Sequence, residues 1–167
     1  MSFWDFLDKP KYKIDRVLEL ENENQIYSEL LKRVHQLSKY GTDLSPLSYI
    51  QRVVLYVANI TGEVNNGGFN QFYFNNSGNY AHETHEALVF IGATKTAEIL
   101  KQANDLWPDQ LVPRDRDKRF EMLVDITKKD TSINERWNEL SELVWHNEEP
   151  VPKLLIEYVR KHKAQFK

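Results

Sequence analysis

Apolar residues recur every three or four positions along most of this chain, and that spacing constrains the fold more than any other feature. The spacing predicts seven helices, over about residues 24–39, 46–62, 80–90, 94–106, 118–127, 132–146 and 154–163. Glycine or proline separates most of these segments, as is usual where one helix stops and the next begins. Neither a strand–helix–strand unit nor a repeat of fixed length interrupts the pattern. The sequence therefore predicts a single compact all-α domain over residues 24–167, preceded by an N-terminal extension of residues 1–23.

Composition narrows the class of protein further. With 22 basic and 25 acidic residues the formal net charge is −3, which excludes a strongly basic nucleic-acid-binding protein. The chain contains no cysteine, so disulfides, thiolate nucleophiles and thiolate metal sites are excluded as well. No apolar run has membrane-spanning length, and residues 1–9 lack the basic-then-apolar order of a signal peptide. We therefore expect a cytoplasmic protein that contacts neither a membrane nor nucleic acid directly.

The segment between the second and third predicted helices is unusual, because asparagine, glycine and aromatic residues crowd together there. The second helix is expected to open at Ser45-Pro46, where a capping side chain precedes proline, and to end near Gly62. Residues 63–68, with the sequence Glu-Val-Asn-Asn-Gly-Gly, then predict a tight connection between helices. The reason is that asparagine and glycine tolerate positive φ angles.

The aromatic residues after this connection are interpreted as part of the core. Residues 69–75 predict one or two helical turns buried by their rings, with a short strand as the competing assignment. Glu63 is expected to accept hydrogen bonds from the glycine amides of the connection. The signal for a phosphate-binding loop is weak here, because the Lys-Ser/Thr ending and the preceding strand of such loops are missing. The segment is therefore interpreted as structural.

Two histidines in the third predicted helix raise the question of a metal site. On a helix His82, His85 and Glu86 could share one face, and the preceding turn could bring Glu63 near them. Zinc-protease helices space their histidines four residues apart, whereas these are three apart, so a solvated polar face also explains the pattern. A small metal-dependent enzyme or metal-binding protein using these four residues remains an alternative. The sequence assigns no catalytic residue, because no nucleophile is paired with a base.

The predicted helix over residues 132–146 carries glutamates at a spacing that places them on one side. Together with the two glutamates that follow, they form a candidate acidic face: Glu135, Glu139, Glu142, Glu148 and Glu149. The opposite side is expected to face the core through Trp137, Leu140, Leu143 and Val144. A row of carboxylates can present negative charge to a basic partner, as phosphates do. The solvent side of an ordinary surface helix has the same pattern, so both interpretations stay open.

The central segment also carries a family resemblance. The order of residues is a glutamate, then Asn-Gly-Gly-Phe, then a glutamine, aromatic residues and a closing asparagine, with a second block around a later glycine. The matching residues are Glu63, Asn66, Gly67, Gly68, Phe69, Gln71, Phe72, Asn75 and Gly92. Over about residues 25–163 the chain resembles the bacterial DNA-mimic protein C-terminal-domain family. We interpret the matching residues as structural, and the resemblance implies a mainly helical fold.

The resemblance also implies a function. The founding member of the family imitates DNA and occupies the DNA-binding surface of a helix-turn-helix transcription regulator. By resemblance, this chain is expected to be a non-enzymatic module that binds a protein partner without a cofactor. The helical spacing of its glutamates adds the expectation that the candidate acidic face makes this contact. An immunity-type or other interaction protein with an unknown partner is a further alternative. The apolar start of the chain, with Phe3, Trp4 and Phe6, adds the prediction of a homodimer.

Overall fold

Residues 13–166 are described by a computed structural model, and this part of the chain contains eight α-helices and no strand. The all-α prediction is therefore confirmed. The helices are α1 (Ile14–Leu18), α2 (Glu23–Leu37), α3 (Tyr49–Phe74), α4 (Ala81–Ile91), α5 (Thr94–Asn104), α6 (Arg116–Lys129), α7 (Ser132–Trp145) and α8 (Val151–Lys161). Short 3-10 turns span Asn76–Tyr80, Pro108–Gln110 and Lys163–Gln165. Within residues 13–166, no helix combines the length and the apolar character that crossing a membrane requires.

The 26-residue helix α3 is the central element of the fold. It packs against α2, α4, α6, α7 and α8, and α5 joins α4 to α7 on one side of it. More than half of the α3 side chains are buried, so this helix is apolar around most of its circumference. This burial explains why its many valines and isoleucines form a helix, since contacts with five neighbours outweigh their modest preference for strands.

The start of α3 differs from the sequence prediction. The helix begins at Tyr49 and not at Ser45-Pro46, because Ser48 and Gln51 form a capping box. The Ser48 N–H donates to Gln51 Oε1 at 2.8 Å, and the Gln51 N–H donates to Ser48 Oγ at 3.4 Å. This reciprocal pair satisfies two backbone donors at the helix start, which the Ser-Pro pair does not do.

The predicted end of the same helix near Gly62 is also wrong. The helix continues through Gly62 to Phe74 and changes direction only at Gly67 and Gly68. Glycine in a helix interior costs about 1 kcal/mol relative to alanine, which is less than the burial of one large side chain contributes. The apolar residues on both sides of Gly62 are buried, so the helix does not stop there.

Three aromatic rings from different elements meet at the centre of the core. The Tyr73 ring lies 5.2 Å from the Trp107 ring and 5.1 Å from the Trp137 ring, centroid to centroid. The Tyr73 hydroxyl donates to Asn104 Oδ1 at 2.7 Å, and Trp137 Nε1 donates to the Ala103 carbonyl at 3.1 Å. Buried aromatic rings contribute strongly to a core through the area they bury and their ring contacts. This cluster holds α3, α5 and α7 together.

Part of the predicted N-terminal extension packs onto the domain. Helix α1 contacts α2, and its Leu18 is buried in the core. Asp15 of α1 also pairs with Lys163 near the other end of the chain, at 2.7 Å between carboxylate and ammonium. The apolar start with Phe3, Trp4 and Phe6 lies outside the described residues. The homodimer that was inferred from it therefore stays a prediction.

Candidate functional site

The predicted tight connection is a kink of only two residues inside α3. Residues 63–66 remain helical, contrary to the prediction, and only Gly67 (φ −158°, ψ 21°) and Gly68 (φ 70°, ψ −169°) leave helical geometry. The Gly68 conformation is one that essentially only glycine adopts. A Cβ atom at Gly68 would also lie 2.8 Å from Ser141 Oγ of α7. We call Gly67 and Gly68 the glycine kink; Gly68 permits both the bend and the close approach of α7.

Helix α7 provides hydrogen-bond partners for two backbone groups at the glycine kink. The Phe69 N–H donates to Ser141 Oγ at 2.9 Å, and Trp145 Nε1 donates to the Val64 carbonyl at 2.9 Å. In an uninterrupted helix, the Val64 carbonyl would accept from Gly68 instead. Ser141 and Trp145 are one helical turn apart, so both reach the kink from the same side of α7. The glycine kink therefore determines which side of α7 faces inward and which side faces outward.

Glu63 joins the two sides of the glycine kink, but not through glycine amides as the sequence predicted. Its Oε2 accepts from Gln71 Nε2 at 2.7 Å and from Asn75 Nδ2 at 2.8 Å, and its Oε1 accepts from Ser77 Oγ at 2.7 Å. The prediction was wrong because Glu63 is still inside the helix, one turn before the glycines. Its carboxylate therefore reaches side chains beyond the kink.

The other motif residues occupy three kinds of position. Phe69 and Phe72 are fully buried in the core. Gly92 adopts a left-handed conformation (φ 84°) and ends α4, as its place in the sequence predicts. Asn66 is exposed, and its side chain hydrogen-bonds to no other residue within 13–166. Apart from Asn66, the motif residues thus stabilise α3 and its contacts with neighbouring elements.

A buried cation that the sequence did not single out closes the far end of α3. The Arg119 guanidinium donates to the carbonyls of Tyr73 at 2.6 Å, Asn75 at 2.8 Å and Pro113 at 2.7 Å. Helix C-termini leave such carbonyls without helical partners and carry partial negative charge. Burial lowers the pKa of Arg119, mainly by removing water from the guanidinium. No sequence pattern marks this role, because Arg119 looks like any charged residue of an amphipathic helix.

The outward side of α7 carries the predicted carboxylates. Glu135, Glu139 and Glu142 are all exposed, and at about 100° per residue they lie within about 60° of one another around the helix. We call these three the α7 acidic row. Arg136 is the one basic residue of α7, and its Nη1 lies 2.8 Å from Glu139 Oε2. Three glutamates and one arginine leave α7 with a formal charge of −2.

The two glutamates that follow α7 differ from each other. Glu148 is exposed, whereas Glu149 turns to the start of α5 and accepts from the Thr96 N–H at 2.9 Å and the Lys95 N–H at 3.0 Å. Burial alone would raise the pKa of Glu149, but the hydrogen bonds from Thr96 and Lys95 outweigh it, so the pKa lies below its usual value. Glu149 therefore caps a helix and does not extend the acidic face.

Two large apolar side chains flank the acidic row. Leu143 and Trp145 are each 50% exposed. The prediction that Leu143 faces the core is wrong, because Ser141 takes the position against the glycine kink. Leu143 lies about 120° around the helix from the buried Trp137, so plotting α7 in projection would have placed it correctly. The outward side of α7 thus combines carboxylates with exposed apolar surface.

The histidines considered as metal ligands have other surroundings. His82 Nε2 accepts from the Val112 N–H at 3.2 Å, and the neighbouring Glu83 pairs with Arg114. Glu63 is held by three donors of its own, Gln71, Asn75 and Ser77. Among residues 13–166, no three histidine, cysteine, aspartate or glutamate residues are placed to hold a metal ion. His85 and Glu86 accordingly join no cluster with Glu63 and His82 in this part of the chain.

Comparison with known protein families identifies the chain. The sequence model of the DMP19-like protein family matches residues 45–162, which is more than two thirds of the chain and includes the glycine kink and α7. No curated protein and no solved structure matches the chain. The resemblance to a DNA-mimic family that residues 63–75 and Gly92 indicated is thereby confirmed. The chain belongs to the DMP19-like protein family.

Proposed function

We propose that this protein is a non-enzymatic binding module that imitates DNA, and that the α7 acidic row contacts the DNA-binding surface of a transcription regulator. Membership of a DNA-mimic family supports the general role. The observation that carries the choice of surface is the exposed row of three glutamates beside two half-exposed apolar side chains. We place this interaction in the cytoplasm, where such regulators act.

The charge spacing of the α7 acidic row supports imitation of a DNA strand. Glu135 and Glu142 are seven residues apart, which corresponds to about 10 Å along the helix axis. One strand of B-DNA carries a phosphate about every 3.4 Å along its axis, so three carboxylates in this length approach the same charge density. The guanidinium of Arg136 partly neutralises the row, and a partner arginine could replace it on Glu139 because both bind carboxylates in the same geometry.

The apolar neighbours of the row favour a protein partner over a purely solvated face. Tryptophan and other large side chains at the centre of an interface commonly carry most of the binding energy. Trp145 is fixed by its hydrogen bond to the Val64 carbonyl, so it presents its exposed half without further ordering. Leu143 lies one helical turn after Glu139, which places apolar contact area directly beside a carboxylate.

Displacement of DNA tests this proposal directly. Helix-turn-helix regulators encoded near this gene would each be bound to a fluorescent operator duplex, and release of the duplex by this protein would be followed by anisotropy. The variant E135Q/E139Q/E142Q is expected to release DNA with a weaker apparent Kd. Exposed ion pairs contribute about 0.2–1 kcal/mol each, so the total loss is about 0.6–3 kcal/mol, or about 3- to 150-fold.

A charge-matched control separates this surface from a general effect of charge. E23Q/E98Q/E157Q removes the same three charges from exposed positions on α2, α5 and α8. This control is expected to displace DNA as well as the wild type does. Binding of the wild type to the regulator is expected to weaken as salt is added. If both triple variants behave alike, or if the salt dependence of binding is unchanged by E135Q/E139Q/E142Q, the α7 acidic row is not the contact surface.

A further inference from the structure

A polar cavity of about 390 Å³ lies among α2, the middle of α3, the 3-10 turn Asn76–Tyr80 and the start of α6. Its wall includes His35 of α2, Asn59 and Glu63 of α3, Tyr80 at the end of the 3-10 turn and Arg116 at the start of α6. The volume lies in the lower part of the range for small-molecule sites. It suits a ligand of amino-acid size better than a nucleotide or a peptide.

The wall carries one carboxylate and one guanidinium. Glu63 supplies the negative charge and Arg116 the positive charge, and burial lowers the pKa of His35, which favours its neutral imidazole. A ligand that carries a single charge would be attracted by one of these groups and repelled by the other. A zwitterion can satisfy both groups at once.

Glu63 retains capacity to accept one more hydrogen bond. A carboxylate offers about four lone-pair sites, two on each oxygen. The donors Gln71 and Asn75 occupy those of Oε2, and Ser77 occupies one on Oε1. The remaining site on Oε1 can accept from an ammonium group in the cavity.

Arg116 is held with its terminal nitrogens available. Its Nε donates to the Phe74 carbonyl at 3.2 Å, and the guanidinium carbon lies 5.1 Å from the centre of the Phe74 ring. Within residues 13–166, no acceptor pairs with its two terminal nitrogens. A guanidinium fixed in this way can bind a carboxylate with two parallel hydrogen bonds.

Other polar side chains of the wall also have unused capacity. The Asn59 amide, the His35 ring and the Tyr80 hydroxyl form no hydrogen bond with any described residue. Asn59 can both donate and accept, as can neutral His35, so they suit a ligand with mixed polarity. At the rim, Tyr40 adopts a left-handed conformation (φ 58°) that is costly for a residue other than glycine.

We propose that this cavity binds a free α-amino acid, with the ammonium group on Glu63 and the carboxylate on Arg116. Asn59, His35 and Tyr80 then line the space for the amino-acid side chain. This inference is independent of the proposed contact surface on α7, because none of the three row glutamates lines the cavity.

Binding of amino acids to the full-length chain tests the proposal. Each proteinogenic amino acid at millimolar concentration would be screened by its effect on the melting temperature, and the best one titrated by calorimetry. At least one is expected to bind, and its primary amide and its N-acetyl derivative are expected to bind about tenfold more weakly or worse. Each derivative removes one charge, and a hydrogen bond to a charged group contributes about 1.5–3 kcal/mol.

Variants locate the site. Arg116→Gln is expected to weaken binding by about tenfold or more. Lys118→Gln removes an equal charge from an exposed position of the same helix outside the cavity and is expected to have no effect. Asn59→Leu keeps the fold-forming network of Glu63 intact and is expected to weaken binding as well. The proposal is overturned if no amino acid binds, if both derivatives bind as well as the parent, or if Arg116→Gln binds like the wild type.

Discussion

Replacing Gly68 by alanine should destabilise this protein far more than an ordinary glycine-to-alanine change. The backbone at Gly68 (φ 70°, ψ −169°) lies in a region that costs about 1–3 kcal/mol for other residues. The new Cβ would lie 2.8 Å from Ser141 Oγ, the atom that accepts from the Phe69 N–H. Displacing Ser141 leaves that buried N–H without a partner, which costs about 1–3 kcal/mol more. We therefore expect a loss of about 2–6 kcal/mol in the free energy of unfolding.

Gly62→Ala is the matched control, since it makes the same change in the same helix. Gly62 is helical, and an added Cβ atom would have no neighbour within 4 Å. This variant should be stabilised by about 0.5–1 kcal/mol, because glycine loses more backbone freedom on folding. Urea unfolding followed by circular dichroism at constant m-value gives both free energies. A Gly68→Ala variant within about 1 kcal/mol of the wild type, or two changes of the same sign, would refute the structural role of the kink.

Three further substitutions test the remaining contacts. Glu149→Gln should lower stability by about 1–2 kcal/mol at pH 7, since it weakens the cap on the N–H of Thr96. The pKa of Glu149 is lower in the folded state than in the unfolded state. Its stabilisation is therefore present above the unfolded-state pKa and is lost as the pH falls through the folded-state pKa. Wild type and Glu149→Gln should thus converge in stability when unfolding is measured at decreasing pH. Trp145→Phe should lower the free energy of unfolding, measured in urea, by about 1 kcal/mol, because the Val64 carbonyl loses its hydrogen-bond donor. Arg119→Lys should lower the free energy of unfolding by at least about 2 kcal/mol, because one ammonium cannot donate to all the carbonyls that the planar guanidinium reaches. An unchanged melting temperature would contradict the capping role of Arg119.

Helical spacing was sufficient to predict the fold class and most helix positions, because each helix buries one apolar side. The errors at the two ends of the second predicted helix have different causes. The start of α3 at Tyr49 depends on a local capping box that competes with a plausible Ser-Pro start. Its continuation through Gly62 depends on burial by five other helices, which no local pattern reveals.

The candidate site was predictable only in part. The spacing of Glu135, Glu139 and Glu142 was sufficient to place them on one side of α7, and the structure leaves all three exposed. The capping role of Glu149 was not predictable, because its partners on α5 are more than 50 residues away in sequence. The exposure of Leu143 follows from the position of Ser141, whose partner at the glycine kink is 72 residues away.

The small net charge of −3 does not measure the field that a partner of α7 would meet. Charges are screened over about 8 Å at physiological ionic strength, whereas a compact chain of this length has a radius of gyration of about 15 Å. Basic residues on the far side of the domain therefore contribute little at α7, where the helix itself carries a charge of −2. The task of the glycine kink is mechanical, since its contacts with Ser141 and Trp145 turn the α7 acidic row outward. A change at the kink should thus weaken partner binding only in proportion to unfolding. Removing the three charges of the row should instead weaken binding about 3- to 150-fold in a protein of unchanged stability.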